Sequence, residues 1–192
     1  LGGGAVAAIE ASAIVVGSRF EGNTCDQDGG AVFNGVDAQL RLGVCVLADN
    51  TALERGGAIF NDIDAVATVD RCRIAGNLTG TRGGGIFNND DSTLTLTNTL
   101  LADNRADVHG GALNNKNCDV LIVGCTIADN SAEFRGSGMY NYEGTQPVIV
   151  NTVIWYNTPE NIGNADTSQA LASFSNISGF FGGSGNIDEA PL

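Results

Sequence analysis

The chain has 192 residues, 43% of them hydrophobic, which is enough for one domain with a sizeable core. Its 27 glycines against 3 prolines are too many for a helical protein, and they lack the every-third-residue period of collagen. A net charge of −13, with nine Lys and Arg of which Lys116 is the single lysine, argues against nucleic acid or an anionic membrane as partner, and no apolar run approaches the ~18 residues that span a bilayer.

The chain opens at Leu1-Gly-Gly-Gly without initiator Met or signal peptide, already inside a repeat, and reads as a mature fragment or a piece of a longer protein. Gly3-Gly-Ala-Val-Ala-Ala8 is a degenerate first copy of a motif. The motif then sharpens to Gly29-Gly-Ala-Val-Phe-Asn34, Gly56-Gly-Ala-Ile-Phe-Asn61 and Gly83-Gly-Gly-Ile-Phe-Asn88, and weakens to Gly110-Gly-Ala-Leu-Asn-Asn115 and Gly136-Ser-Gly-Met-Tyr-Asn141. A second motif ends on another asparagine, as in Val44-Cys-Val-Leu-Ala-Asp-Asn50, Arg71-Cys-Arg-Ile-Ala-Gly-Asn77 and Gly124-Cys-Thr-Ile-Ala-Asp-Asn130. That asparagine recurs at Asn23, Asn50, Asn77, Asn104, Asn130 and Asn157, with spacings of 27, 27, 27, 26 and 27. Asn34, Asn61, Asn88, Asn115 and Asn141 keep step with it, so the chain is a stack of near-identical coils.

Aligning the coils gives apolar columns. Val15, Leu42, Val69, Leu96, Ile122 and Ile149 form one, and Phe20, Leu47, Ile74, Leu101, Ile127 and Ile154 another. Thr93-Leu-Thr-Leu-Thr97 alternates with period two, the signature of a strand. Three short strands per coil, separated by turns, account for about 27 residues. Equivalent residues then stack ~4.8 Å apart, the aliphatic columns make a continuous core, and turn asparagines can bond amide to amide up the stack. Paired glycines allow the tight bends. A leucine-rich horseshoe also fits Leu42-x-x-Cys45-x-Leu47-x-x-Asn50, but Gly-Gly-Ala-Ile-Phe-Asn is poor material for the helical half of that repeat. Parallel crossovers are almost always right-handed. The expected fold is all-β: a right-handed parallel β-helix, a solenoid of about six coils over residues 1–164, with 165–192 as a terminal coil or C-terminal cap.

The Gly-Gly-Ala-Ile copies resemble the repeats of the chlamydial polymorphic outer membrane proteins and a wide set of bacterial right-handed β-helix repeat proteins. The second half-motif of that family, Phe-x-x-Asn, occurs literally as Phe20-Glu-Gly-Asn23, with Leu or Ile replacing Phe elsewhere. Phe174-Ser-Asn-Ile-Ser-Gly179 and Gly185-Asn-Ile-Asp-Glu-Ala-Pro-Leu192 are similar to the terminal coil of those proteins. The resemblance covers nearly the whole chain and implies adhesins, surface scaffolds and carbohydrate-active relatives.

Several columns carry candidate chemistry. Asp37, Asp64 and Asp91 stack three residues past the Gly-Gly-motif asparagine. Carboxylates ~5 Å apart repel, and a bound divalent cation, calcium by its preference for oxygen, would relieve this. The plainer expectation is a solvated turn. Arg55, Arg82, His109 and Arg135, begun by Asp28, form a stripe suited to anionic sugars or an acidic partner, unless they pair locally with Glu54, Asp107 or Glu133. Phe33, Phe60, Phe87 and Tyr140, interrupted by Asn114, are an aromatic column that is either an exposed partner or sugar-stacking surface or part of the core. Five cysteines leave at least one thiol unpaired within the chain, and no CxxC zinc spacing is present. Cys45 and Cys72 are neighbours close enough for a disulfide, but their Ser and Thr equivalents favour buried thiols. Across from Thr97 stand Gly43, Asp70, Val123 and Val150, so the threonines make no array of the ice-binding kind.

The expected function is non-enzymatic: an extracellular or cell-surface structural and interaction protein, either an adhesin-like scaffold or the subunit of a head-to-tail stacked fibre. The bare strand edges of the first coil motivate self-association along the solenoid axis. The alternative is a polysaccharide-binding or polysaccharide-cleaving, pectate-lyase-like β-helix. Lysine scarcity, the missing long loops and the lack of a Ser/His/Asp set around His109 weigh against catalysis. No cofactor is expected other than calcium as a candidate, and the expected partners are copies of the chain or a cell-surface polysaccharide or protein, with no membrane insertion in this segment.

Overall fold

A computed structural model describes residues 2–179 and 182–191. Leu1 and Leu192, which the sequence reading assigned to the first coil and the terminal segment, lie outside the described residues. The chain forms a parallel β-solenoid of about six turns with about 27 residues per turn, and its described residues contain no helix. The second half of each Gly-Gly motif, as in Ile59–Asn61, forms strand where a leucine-rich repeat would need helix.

The strands fall into four sheets that run along the stack, with seven, seven, seven and five strands. The first sheet runs from Val6–Ala8 to Ile162–Asn164, the second from Ser12–Val16 to Leu171–Ser173, and the third from Arg19–Glu21 to Asn176–Ile177. The fourth runs from Thr24–Cys25 to Ser131–Ala132 and corrects the expected three strands per coil. Its strands are two residues long, too short for period-two alternation to show. Register follows the repeat, with Asn34 opposite Asn61, Leu42 opposite Val69, and Leu47 opposite Ile74. After the last strands, Asn186 and Ile187 return alongside them: the Ser175 amide donates to Asn186 Oδ1 at 3.0 Å, and Ile187 bridges to Asn176.

Four sheets per coil require four corners, and in most coils each corner has one residue in the left-handed region. In one coil these are Gly29 (φ 71°), Asp37 (55°), Val44 (54°) and Asp49 (55°). Left-handed backbone favours Gly, Asn and Asp. Gly56 shows why glycine occupies the first corner: at φ 66°, an added Cβ would lie 2.3 Å from the Ile59 carbonyl oxygen.

The core holds one side chain from each alternate strand position. Leu42, Leu47, Ile59, Ile74, Ile86, Leu94, Leu96, Leu101, Leu113 and Ile122 are fully buried. The small column beside them does a second job. Cys45 N–H donates to Cys72 Sγ at 3.3 Å, Cys72 N–H to Thr99 Oγ1 at 3.1 Å, and Cys125 N–H to Thr152 Oγ1 at 3.3 Å. Thiol and hydroxyl are therefore interchangeable here because either accepts a corner N–H from the preceding coil. All five cysteines are free thiols. Burial pushes the Cys72 thiol up to about 11 and that of Cys118 up to about 12.

The Asn23 column is a closed hydrogen-bond circuit. Asn77 Oδ1 accepts the Asn50 backbone N–H at 3.0 Å and the Asn50 Nδ2 at 2.9 Å. Asn77 Nδ2 donates to Asn104 Oδ1 at 2.8 Å and to the Leu47 carbonyl at 3.0 Å. Both donors and both lone pairs are used, which is the capacity of a primary amide. The second ladder runs from Asn34 through Asn61, Asn88 and Asn115 to Asn141 with Nδ2-to-Oδ1 distances of 3.2, 2.7, 2.7 and 2.8 Å. It begins imperfectly: Ala8 stands in the coil before Asn34, and Asn34 Oδ1 is buried without a partner.

Two ladder members escape the sequence period. Asn157 Nδ2 donates to Asn161 Oδ1 at 2.8 Å, only four residues on, and Asn141 Nδ2 donates to Asn164 Oδ1 at 2.8 Å across 23 residues. The final coil is shortened, yet each stack still ends on an asparagine. Replacing Asn77 by Ala strands the Asn50 donors and the Leu47 carbonyl, so a loss of about 3 kcal/mol is expected, against about 1 kcal/mol for Asn34→Ala, whose oxygen is already unpaired. Urea unfolding of both variants checks the ordering.

Candidate functional site: a groove beside the aromatic column

Period two puts Ile59 in the main core and Phe60 on the opposite face of the first sheet. Phe33, Phe60 and Phe87 stack there at centroid distances of 5.4 and 5.5 Å, with interplanar angles of 14° and 17°. They form a cluster of their own, and all three are buried. These three rings are therefore covered rather than exposed.

Their cover is the arginine column. The Arg55 guanidinium lies 4.6 Å above the Phe60 ring and 5.4 Å from Phe87, a cation–π arrangement. It is held there by two bonds to the Asp28 carboxylate at 3.0 and 2.8 Å. The partner is thus one coil away rather than the neighbouring Glu54. Asp107, another expected local partner, pairs instead with Arg105 at 3.2 Å. Backbone bridges join Arg55, Arg82, His109 and Arg135 in sequence, so the column is a continuous line along the stack. Arg135 is exposed at its end.

At Asn114 the aromatic column breaks. This side chain is fully buried, its Oδ1 has no partner, and its Nδ2 makes only a 3.5 Å contact to the His109 carbonyl. The column resumes at half-buried Tyr140, on which the His109 ring stacks at 4.3 Å. Burial, followed by the charges of Arg82 and Arg135, holds the His109 pKa below its ordinary value, so the imidazole is neutral at pH 7. Its Nδ1 is also buried without a partner.

Beside the column lies a groove of about 640 Å³ whose walls include Arg55, Arg82, Phe87, Lys116, Tyr142 and Glu143. A one-residue deletion after Asn115 places Lys116 here. The left-handed corner falls three residues past the ladder asparagine at Asp37, Asp64 and Asp91 and only two past it at Asn117, while Glu143 and Gly144 are both left-handed after Asn141. The first-sheet strands lengthen to Leu113–Lys116 and Met139–Tyr142, with Lys116 opposite Tyr142. By the same alternation that turns Phe60 outward, Lys116 and Tyr142 share the outer face with Asn114 and Tyr140. Only the 26-residue spacings within the repeat mark this change in the sequence.

Charge in the groove is unevenly satisfied. Lys116 Nζ bonds Asp90 at 2.7 Å and lies 3.7 Å from Glu143, and the Asp90 bond raises its pKa. Arg82 instead donates to the Tyr142 hydroxyl at 3.3 Å, with the ring centroid 5.4 Å away. Among the described residues Arg82 makes no ion pair.

The aspartate column has a backbone explanation. Asp37, Asp64 and Asp91 are exposed at φ 55°, 57° and 56°, so the corner conformation selects them. Asp91 borders a polar recess of about 320 Å³ with Asp119, but the described residues contain no group of three or more His, Cys, Asp or Glu able to hold a metal ion.

No family model, no curated protein and no solved structure matches this chain. Asp28→Ala is expected to release Arg55 and uncover Phe60, at a cost of about 2 kcal/mol from the lost charge-assisted bonds. Denaturant unfolding against wild type measures it, and a change below about 0.5 kcal/mol, the scale of an ordinary surface substitution, would mean that the pair does not secure the aromatic column.

Proposed function

We propose that this chain is a non-enzymatic interaction rod of an extracellular or cell-surface protein, adhesin-like in role and akin to the bacterial β-helix repeat proteins whose motifs it resembles. The groove between Arg82 and Tyr142 carries this reading. The ladders use their amides inside the stack, and the aromatic column is sealed by Arg55. The groove brings a guanidinium with no ion pair among the described residues, an aromatic hydroxyl and a lysine together. A rigid solenoid that holds such a group at fixed geometry suits recognition, because little side-chain freedom remains to be lost on binding.

The test is binding of the immobilised chain to a panel of soluble polysaccharides and extracellular proteins. Combined Arg82→Ala, Lys116→Ala and Tyr142→Ala substitutions are expected to abolish binding while circular dichroism stays unchanged, and bound glycan is expected to remain uncut. Binding that survives the triple variant, or new reducing ends in the glycan, would overturn the reading.

Axial self-association is the second reading. All four sheets are parallel and in register along the stack, so a copy placed in register on the axis would continue them by strand pairing. Copies stacked this way would show as rods with an axial repeat near ~29 Å, the height of six coils at strand spacing, in negative-stain micrographs.

A further inference from the structure

We propose that the groove binds one acidic sugar residue within an otherwise neutral glycan, with Arg82 anchoring the carboxylate. This rests on the reading of the groove as a binding surface and names the ligand class that the surface would take.

The cations of the groove differ in what they already hold. Arg55 is satisfied by both Asp28 oxygens, and Lys116 by Asp90 with Glu143 close by. Among the described residues, the one side-chain hydrogen bond of Arg82 goes to the neutral Tyr142 hydroxyl, at 3.3 Å. A guanidinium has five N–H donors in a planar fork that matches a carboxylate. Arg82 is half-buried, backed by the Tyr142 ring, and partly stripped of water before a ligand arrives.

The surroundings limit the ligand to one negative charge. The Glu54 and Glu143 side chains also line the groove, and the whole chain carries −13. A second carboxylate would meet those groups, and a long polyanion would be repelled before contact. The same carboxylates, with the Asn89 amide and the Tyr142 hydroxyl, offer acceptors and donors for sugar hydroxyls. Phe87 and Tyr142 supply apolar surface for the C–H face of a ring. The volume of about 640 Å³ lies within the range of small-ligand sites and accommodates a short oligosaccharide.

The probe is a trisaccharide with one central glucuronate between neutral hexoses, compared with its methyl ester by isothermal titration calorimetry. Wild type is expected to bind the acid about tenfold more tightly than the ester, the scale of one charge-assisted hydrogen-bond pair. Arg82→Gln is expected to bring acid and ester to within about twofold of each other, and Arg82→Lys to restore part of the preference. Equal affinity of wild type for acid and ester, no binding of either, or a tenfold preference that persists in Arg82→Gln would each overturn the proposal. If the trisaccharide fails while panel binding still depends on Arg82, Lys116 and Tyr142, only the ligand class falls. If both fail, the groove is not the binding surface.

Discussion

The stacked asparagine amide is the interaction on which the rest of this molecule depends. A primary amide has two donors and two acceptor sites, and Asn77 uses them all, with partners in both adjoining coils and in the backbone. Because the amide must sit one strand spacing from the next, it fixes register where short strands alone would leave it loose. Strands of two and three residues can then add up to a rod. The pairing of Leu47 with Ile74 and of Phe60 with Phe87 follows from that register. The cost of a buried amide is met only while both neighbours are present, which explains why the shortened final coil still supplies Asn161 and Asn164 at the ladder positions.

The surface chemistry grows out of the same geometry. An outward column at strand spacing stacks rings at 5.4 and 5.5 Å, and such a stack needs a cover. Arg55 covers Phe60 because Asp28 holds it from the preceding coil. Where Asn114 replaces a ring, that arrangement ends. The corner after Asn115 also loses one residue, and Lys116 and Tyr142 lie on the outer face. Arg82 has Arg55 one coil before it, where Arg55 has Asp28, and makes no ion pair among the described residues.

Periodic demands were legible in the sequence. Both asparagine ladders and both aliphatic columns stand out because one physical requirement recurs six or so times at one spacing. The fourth sheet was not legible, since two-residue strands such as Thr51–Ala52 carry no alternation. The Asp37, Asp64 and Asp91 column was legible as a pattern but ambiguous in cause. Left-handed backbone and cation binding both select aspartate, and the observed φ values favour the first. The aromatic column was ambiguous for another reason: outward rings are exposed or buried according to what lies over them, and the Arg55–Asp28 pair spans two coils. Asn161, Asn164, Lys116 and Tyr142 belong to departures that occur in one or two coils, and a column comparison averages such departures away.

The most direct measurement of the account is amide hydrogen exchange by NMR at Asn50, Asn77 and Asn104, following both the backbone N–H and the side-chain Nδ2 protons. If the ladder fixes the stack, the side-chain protons exchange as slowly as the strand amides of Leu47, Ile74 and Leu101, and only through unfolding of the coils around them. Side-chain protons that exchange freely while those strand amides stay protected would mean that the sheets hold their register without the asparagines, and the account would be wrong at its centre.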